Sequence, residues 1–144
     1  ELSDEECEIL ARIIVVRQVA DGETLMREGQ TDHCLHVIHE GKLAVYKAAG
    51  AGEEEILHVH KAGDVTGAMG FLDGLEHSAT LRAQGKVEVL SLERNPFEAL
   101  IETHPRLVYK MMRAIVRSVH AIVRNMNSSY VEMFNYITKQ HGRY

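Results

Sequence analysis

At 144 residues the chain has the length of one domain, enough to bury a core without disulfide or metal staples. Hydrophobic residues are 45% and charged residues 26%, which excludes an intrinsically disordered chain. A net charge of −5 argues against a nucleic-acid binder acting alone, because phosphate binding draws on a surplus of Lys and Arg. Arg106, Arg113, Arg117, Arg124 and Arg143 enrich the C-terminal third and read as a solvated helix face. Cys7 and Cys34 form no CxxC pair and read as two free thiols. Neither a signal peptide nor an apolar run of ~18 residues is read, so a cytoplasmic chain without a membrane span is expected.

Residues 2–12 predict a helix. Ser3 is a good N-cap, Glu6 completes a capping box, and Asp4, Glu5 and Glu6 suit the positive end of the helix dipole. From Ile14 the pattern turns β-branched and apolar, broken by Asp21–Gly22 and Gly29. Leu35 and Val37 alternate with His36, and Leu43 and Val45 with Ala44 and Tyr46, which predicts two half-buried strands around Glu40–Gly41. Residues 49–55 form a Gly-rich hairpin tip, Ile56, Leu57 and Val59 a further strand stopped at Gly63–Asp64, and residues 79–93 two more strands around Gly85. About eight short strands punctuated by glycine, with no helices alternating between them, predict a mainly β fold. The expected architecture is an eight-stranded antiparallel β-roll of the jelly-roll type with flanking helices.

Asn95–Pro96 opens a short helix that His104–Pro105 ends. From Arg106 to about Lys139 no Gly or Pro interrupts a long helix. Val108, Met112, Ile115, Val119, Ile122, Met126, Ser129, Met133 and Tyr136 step alternately by four and three, a heptad seam, and Val116, Val123, Tyr130 and Ile137 flank it. Such a helix is ~50 Å long, more than a roll of this size covers. The expectation is one structural unit, with a roll at 1–105 and a helix at 106–144 that pairs with a second copy to make a homodimer.

The ordered set Met26–Arg27–Glu28–Gly29, then residues 35–45, then Lys61–Ala62–Gly63–Asp64–Val65–Thr66–Gly67, then Ser78–Ala79–Thr80–Leu81–Arg82–Ala83 resembles the catabolite-activator and FNR-like branch of the cyclic-nucleotide-binding superfamily. The resemblance runs from the first helix to the dimer helix and implies a regulatory sensor, not an enzyme. It further implies a phosphate-binding cassette: a short helix whose N-terminal amides cradle the phosphate, a Glu for the ribose hydroxyl, and an Arg paired with the phosphate. Here the cassette spans Thr66 to Thr80. Gly67 and Ala79–Thr80 match the pattern, but Ala68 stands in the Glu position, His77 in the Arg position, and Glu76 beside it would repel a phosphate. The long-helix positions that meet the base in relatives fall on the apolar Ile122 and Val123. Cyclic AMP or cyclic GMP is therefore an implied ligand with its charged partners missing, and another small anion remains open. The residues expected to bind are Gly67, Ala68 and Met69 through backbone N–H groups, and His77, Ser78, Ala79 and Thr80 around the anion. Arg117, His120 and Arg124 are expected as lid contacts. Relatives carry a helix-turn-helix after the dimer helix; this sequence ends shortly past it, so DNA reading by this chain is not expected.

Two other readings stand beside this one. In the first, the domain binds no ligand and serves for dimerisation or partner docking. In the second, it is a haem or metal sensor: of nine histidines, His58 and His60 share one strand face, with His33, His36 and His39 on the neighbouring strand region. Met111, Met112, Met126 and Met133 read as core and seam. No Walker loop, GxSxG or dinucleotide fingerprint occurs, and the run Glu53–Glu55 reads as a solvated hairpin tip.

Overall fold

The computed structural model describes residues 1–141, with side chains through Ser128 and at 131–133 and 135–137. Ser129, Tyr130 and Arg143, named above, lie outside the described residues or side chains. Helix α1 (Asp4–Ile13) starts on the expected capping box: Ser3 Oγ accepts from Glu6 N at 3.2 Å, and Ser3 N donates to Glu6 Oε1 at 2.9 Å. The same Glu6 carboxylate accepts from Lys110 Nζ at 2.7 Å. That bond, then the one from Ser3 N, lowers its pKa to about 2 and ties the N-terminal helix to the C-terminal one.

Six strands follow: β1 (Ile14–Val19), β2 (Thr24–Met26), β3 (Cys34–Ala48), β4 (Glu54–His60), β5 (Val65–Thr66) and, after the short helix α2 (Ala68–Asp73), β6 (Thr80–Glu93). They form one antiparallel sheet in the order β1-β6-β3-β4, with β2 on β6 and β5 on β3. The expected count of eight becomes six because the two segments on either side of Gly41 are one strand, and so are those on either side of Gly85. These glycines mark bends, not chain reversals. At Gly41 φ is +92°, and a Cβ would collide with the Lys86 carbonyl oxygen, so two backbones cross closely there and only glycine fits. The β3–β6 register shifts at the same place, between Ile38 and Lys42.

The bends let each long strand serve both halves of a curled sheet. Val19, Ile38, Val87 and Val89 from one half pack with Met26, Leu43, Leu81 and Ala83 from the other in a single core cluster. A second cluster joins the roll to the helices through Leu35, Phe71, Leu92, Phe97 and Ile115, with the Phe71 and Phe97 rings 5.2 Å apart.

Behind the roll, the one helix expected from Asn95 is two pieces, α3 (Arg94–Glu98) and α4 (Leu100–Thr103), and Glu93 rather than Asn95 holds the N-cap position. Helix α5 (Pro105–His141) opens on its proline, whose missing N–H costs nothing in the first turn. Its 37 residues measure roughly 55 Å. Leu107 and Ile115 are buried against the roll, and Val108, Met111 and Met112 pack partly against it. Further along the helix, Met126, Val131, Met133 and Tyr136 are exposed in the single chain. The first three seam positions thus belong to the chain's own core. Among the described residues no helix is long and apolar enough to cross a membrane, and both cysteines are free.

Candidate functional site

A cavity of about 250 Å³ opens between the inner wall of the roll, α2 and α5. Its volume falls just under the roughly 300–1,000 Å³ usual for small-molecule sites. Met26, Val45 and Leu81 form the roll side, Thr66 to Gly70 the cassette, Glu76 to Ala79 its return, and Val119, Ile122 and Val123 the helix side. Walls that are mostly apolar with a few convergent polar groups suit a small organic ligand.

Gly67 decides how the cassette enters. It takes φ +83° as the N-cap of α2, with no side-chain cap, and a Cβ there would lie 2.7 Å from the Cys34 carbonyl oxygen and 3.3 Å from Met26 Cε. Only glycine allows the backbone to pass this close to β3 and turn directly into a helix. The first N–H groups of that helix have no acceptor within it, and Gly67, Ala68 and Met69 all line the cavity.

The return segment is held by backbone pairing: Gly29 N donates to His77 O at 2.9 Å and His77 N to Gln30 O at 2.8 Å. Lys47 Nζ donates to Ser78 O at 3.2 Å. His77, Ser78 and Ala79 line the cavity. The His77 imidazole is buried and lies against a carboxylate, with Nε2 3.2 Å from Asp32 Oδ2. The ring is therefore already engaged by a carboxylate. Thr80 is not among the lining residues; its Oγ1 accepts from Glu28 N at 3.0 Å. On α5 the apolar Val119, Ile122 and Val123 face the cavity, whereas Arg117, His120 and Arg124 are not among its lining residues. The helix face toward the site carries no charge because the heptad seam itself turns to it.

Two participants escaped the sequence: Asp32 sits 45 positions before His77, and nothing in local spacing pairs them, and Lys47 is an exposed strand residue. His60, read there only as a metal candidate, emerges as part of the cavity wall. The expected array of three or four imidazoles on adjacent strands is also dispersed, for a reason of register. Strand β4 pairs with residues 43–48 of β3, while His36 and His39 lie in the other half, opposite Ser91 and near Glu88. His36 is buried with Nδ1 2.7 Å from Ser91 Oγ, and burial drives its pKa down to about 4. His39 is exposed and 2.8 Å from Glu88. Among the described residues the one His/Cys/Asp/Glu group close enough to hold a metal is His58, His60 and Asp64.

Comparison with known proteins agrees with this architecture. The neuropathy target esterase sws of Drosophila grimshawi is 25% identical over 85% of this chain, and the match spans 9% of the length of that protein. A cyclic nucleotide-binding domain from Methylobacillus flagellatus KT superposes with a TM-score of 0.86 at 22% identity, covering 92% of this chain and 75% of that one. The catabolite activator protein of Thermus thermophilus superposes with a TM-score of 0.67 at 21% identity, covering 95% and 61%. At these identities the two structures speak for the fold. Residues 16–104, from β1 through the cassette to the end of α4, match the family model of the cyclic nucleotide-binding domain, and the chain belongs to that family.

Proposed function

We propose that the chain is a regulatory ligand-sensing module that acts as a homodimer in the cytoplasm and takes a small anion of the cyclic-nucleotide class, cyclic AMP or cyclic GMP, through an atypical phosphate-binding cassette. The observation that carries this is the cavity walled on one side by the cassette and on the other by α5. A ligand there touches both the roll and the helix, so it favours one packing angle between them over another. The exposed apolar stripe of α5 conveys that angle to a second copy.

The charge inventory sets the expected strength. The anion would meet the backbone N–H groups of α2 and Ser78, but no arginine, and Glu76 stands in the wall. A missing charged partner removes ~1.5–3 kcal/mol, so affinity is expected about ten- to a hundredfold below that of an Arg-bearing cassette. Neither catalysis nor DNA reading is assigned to these residues.

Thermal unfolding with 1 mM cyclic AMP, cyclic GMP or inorganic phosphate tests the reading. A ligand at a hundred times its dissociation constant stabilises by about 2.7 kcal/mol, several degrees for a domain of this size. A rise in Tm with one nucleotide and not with phosphate supports nucleotide sensing. No rise with any of them favours a second reading, a dimerisation or docking domain without ligand. His77 committed to Asp32 and the uncovered stripe of α5 speak for that reading.

A further inference from the structure

We infer that His58, His60 and Asp64 form a binding site for a divalent transition-metal ion, Zn²⁺ by the chemistry of the donors. Strand alternation supplies the first two. His58 pairs with Val45 and His60 with Leu43 across the β3–β4 ladder, and residues paired in this way share a face. Leu43 is fully buried and Val45 lines the cavity, so both imidazoles project into the roll. Their rings meet edge to face with centroids 4.9 Å apart.

The third donor comes from the turn that ends β4. Asp64 N donates to Lys61 O at 3.0 Å, and Asp64 Oδ2 accepts from Lys61 N at 3.0 Å, which orients the carboxylate. The same Oδ2 lies 3.6 Å from His60 Nδ1. One donor atom from each of the three residues lies within 4.8 Å of the others. With Zn–N and Zn–O bonds of about 2.0–2.2 Å, tetrahedral donors stand roughly 3.4 Å apart. The His60–Asp64 edge, at 3.6 Å, is close to that spacing, and the His58 donor lies within 4.8 Å of both.

A second observation points the same way. His58 Nε2 and His60 Nδ1 are both buried without a hydrogen-bond partner, and His60 is only 7% exposed. Buried polar atoms are rarely left unpaired. Two buried ring nitrogens without a hydrogen bond, one of them 3.6 Å from an oriented carboxylate, make a donor set of the kind a metal ion takes. Two imidazoles and one carboxylate match the three protein ligands of an open Zn²⁺ site, with the fourth position left for water or another ligand. His60 also lines the central cavity, so the ion would stand at its wall. This inference rests on the geometry of β4 and its turn and does not need the nucleotide reading.

The test is calorimetric titration of chelator-treated protein with Zn²⁺ in phosphate-free buffer, repeated with Co²⁺ under visible spectroscopy. Three variants are compared: His58→Gln, Asp64→Asn and, as a surface control, the double change His33→Gln and His39→Gln. The expected result is one ion per chain, visible bands of four-coordinate Co²⁺, and an affinity lowered about tenfold or more by His58→Gln and by Asp64→Asn, but not by the control. If His58→Gln fails to fold by circular dichroism, Asp64→Asn, on the partly exposed turn, decides alone. Absence of Zn²⁺ binding, or binding lost in the control and kept in Asp64→Asn, overturns the proposal.

Discussion

Replacing Gly67 by alanine tests how the cassette is built. Two costs add. At φ +83° an L-residue with a Cβ is strained by roughly 1–2 kcal/mol. The new methyl would also lie 2.7 Å from the Cys34 carbonyl oxygen, well inside contact distance, and 3.3 Å from Met26 Cε. The methionine end is flexible and gives way, but the carbonyl belongs to β3 and does not. Relief therefore moves α2 outward and draws its buried Phe71 away from Leu35 and Phe97, a disturbance of roughly a further 1–2 kcal/mol on the usual scale for overpacking a core. The total of about 2–4 kcal/mol corresponds to a fall in Tm of roughly 6–12 °C at about 3 °C per kcal/mol for a domain of this size. The assay is calorimetric or urea unfolding beside Gly85→Ala, where φ is also positive (+75°) but nothing lies within 4 Å, so only the strain is expected. If Gly67→Ala loses no more than Gly85→Ala, the close approach of cassette and strand is wrong.

Three further predictions follow from the same geometry. His36 is neutral in the fold down to about pH 4, whereas the unfolded side chain takes up its proton near 6.5. Its contribution is thus complete above pH 6.5 and is lost as the pH falls toward 4, by roughly 3 kcal/mol in all; urea unfolding across that window should show the loss, and His36→Asn should flatten it. Leu107, 1% exposed, anchors α5 to the roll, and Leu107→Ala should cost about 2–5 kcal/mol in the same assay. Combining Ala68→Glu with His77→Arg restores the carboxylate and guanidinium that the family pattern places in the cassette. Cyclic AMP affinity by calorimetry should then rise about ten- to a hundredfold, and no gain would mean that the cavity does not seat the nucleotide.

Much of the fold was legible because it is written locally. The Ser3–Glu6 capping box marked α1, and the uninterrupted seam from Val108 marked α5. Glycines marked most of the breaks between strands, but Gly41 and Gly85 read as strand ends because a turn and a bend leave the same local trace. Only the long-range β3–β6 ladder tells them apart. The cassette segment was singled out by its order of residues, and Gly67, Ala68, Met69, His77, Ser78 and Ala79 line one cavity while Thr80 does not. The pairing of His77 with Asp32 was not legible, since it depends on how residues 29–32 fold back on the cassette return. The shared face of His58 and His60 followed from a spacing of two. Their meeting with Asp64 needed the turn at Lys61–Asp64, and the exclusion of His36 and His39 needed the register of β3.

The most direct test of ligand sensing is a backbone amide NMR titration of the 16.2 kDa chain with cyclic AMP and cyclic GMP. The account predicts saturable shifts confined to residues 66–70, 77–79 and 119–123, with smaller changes running outward along α5. A spectrum unchanged at millimolar nucleotide, or shifts scattered over the outer face of the roll, would contradict it.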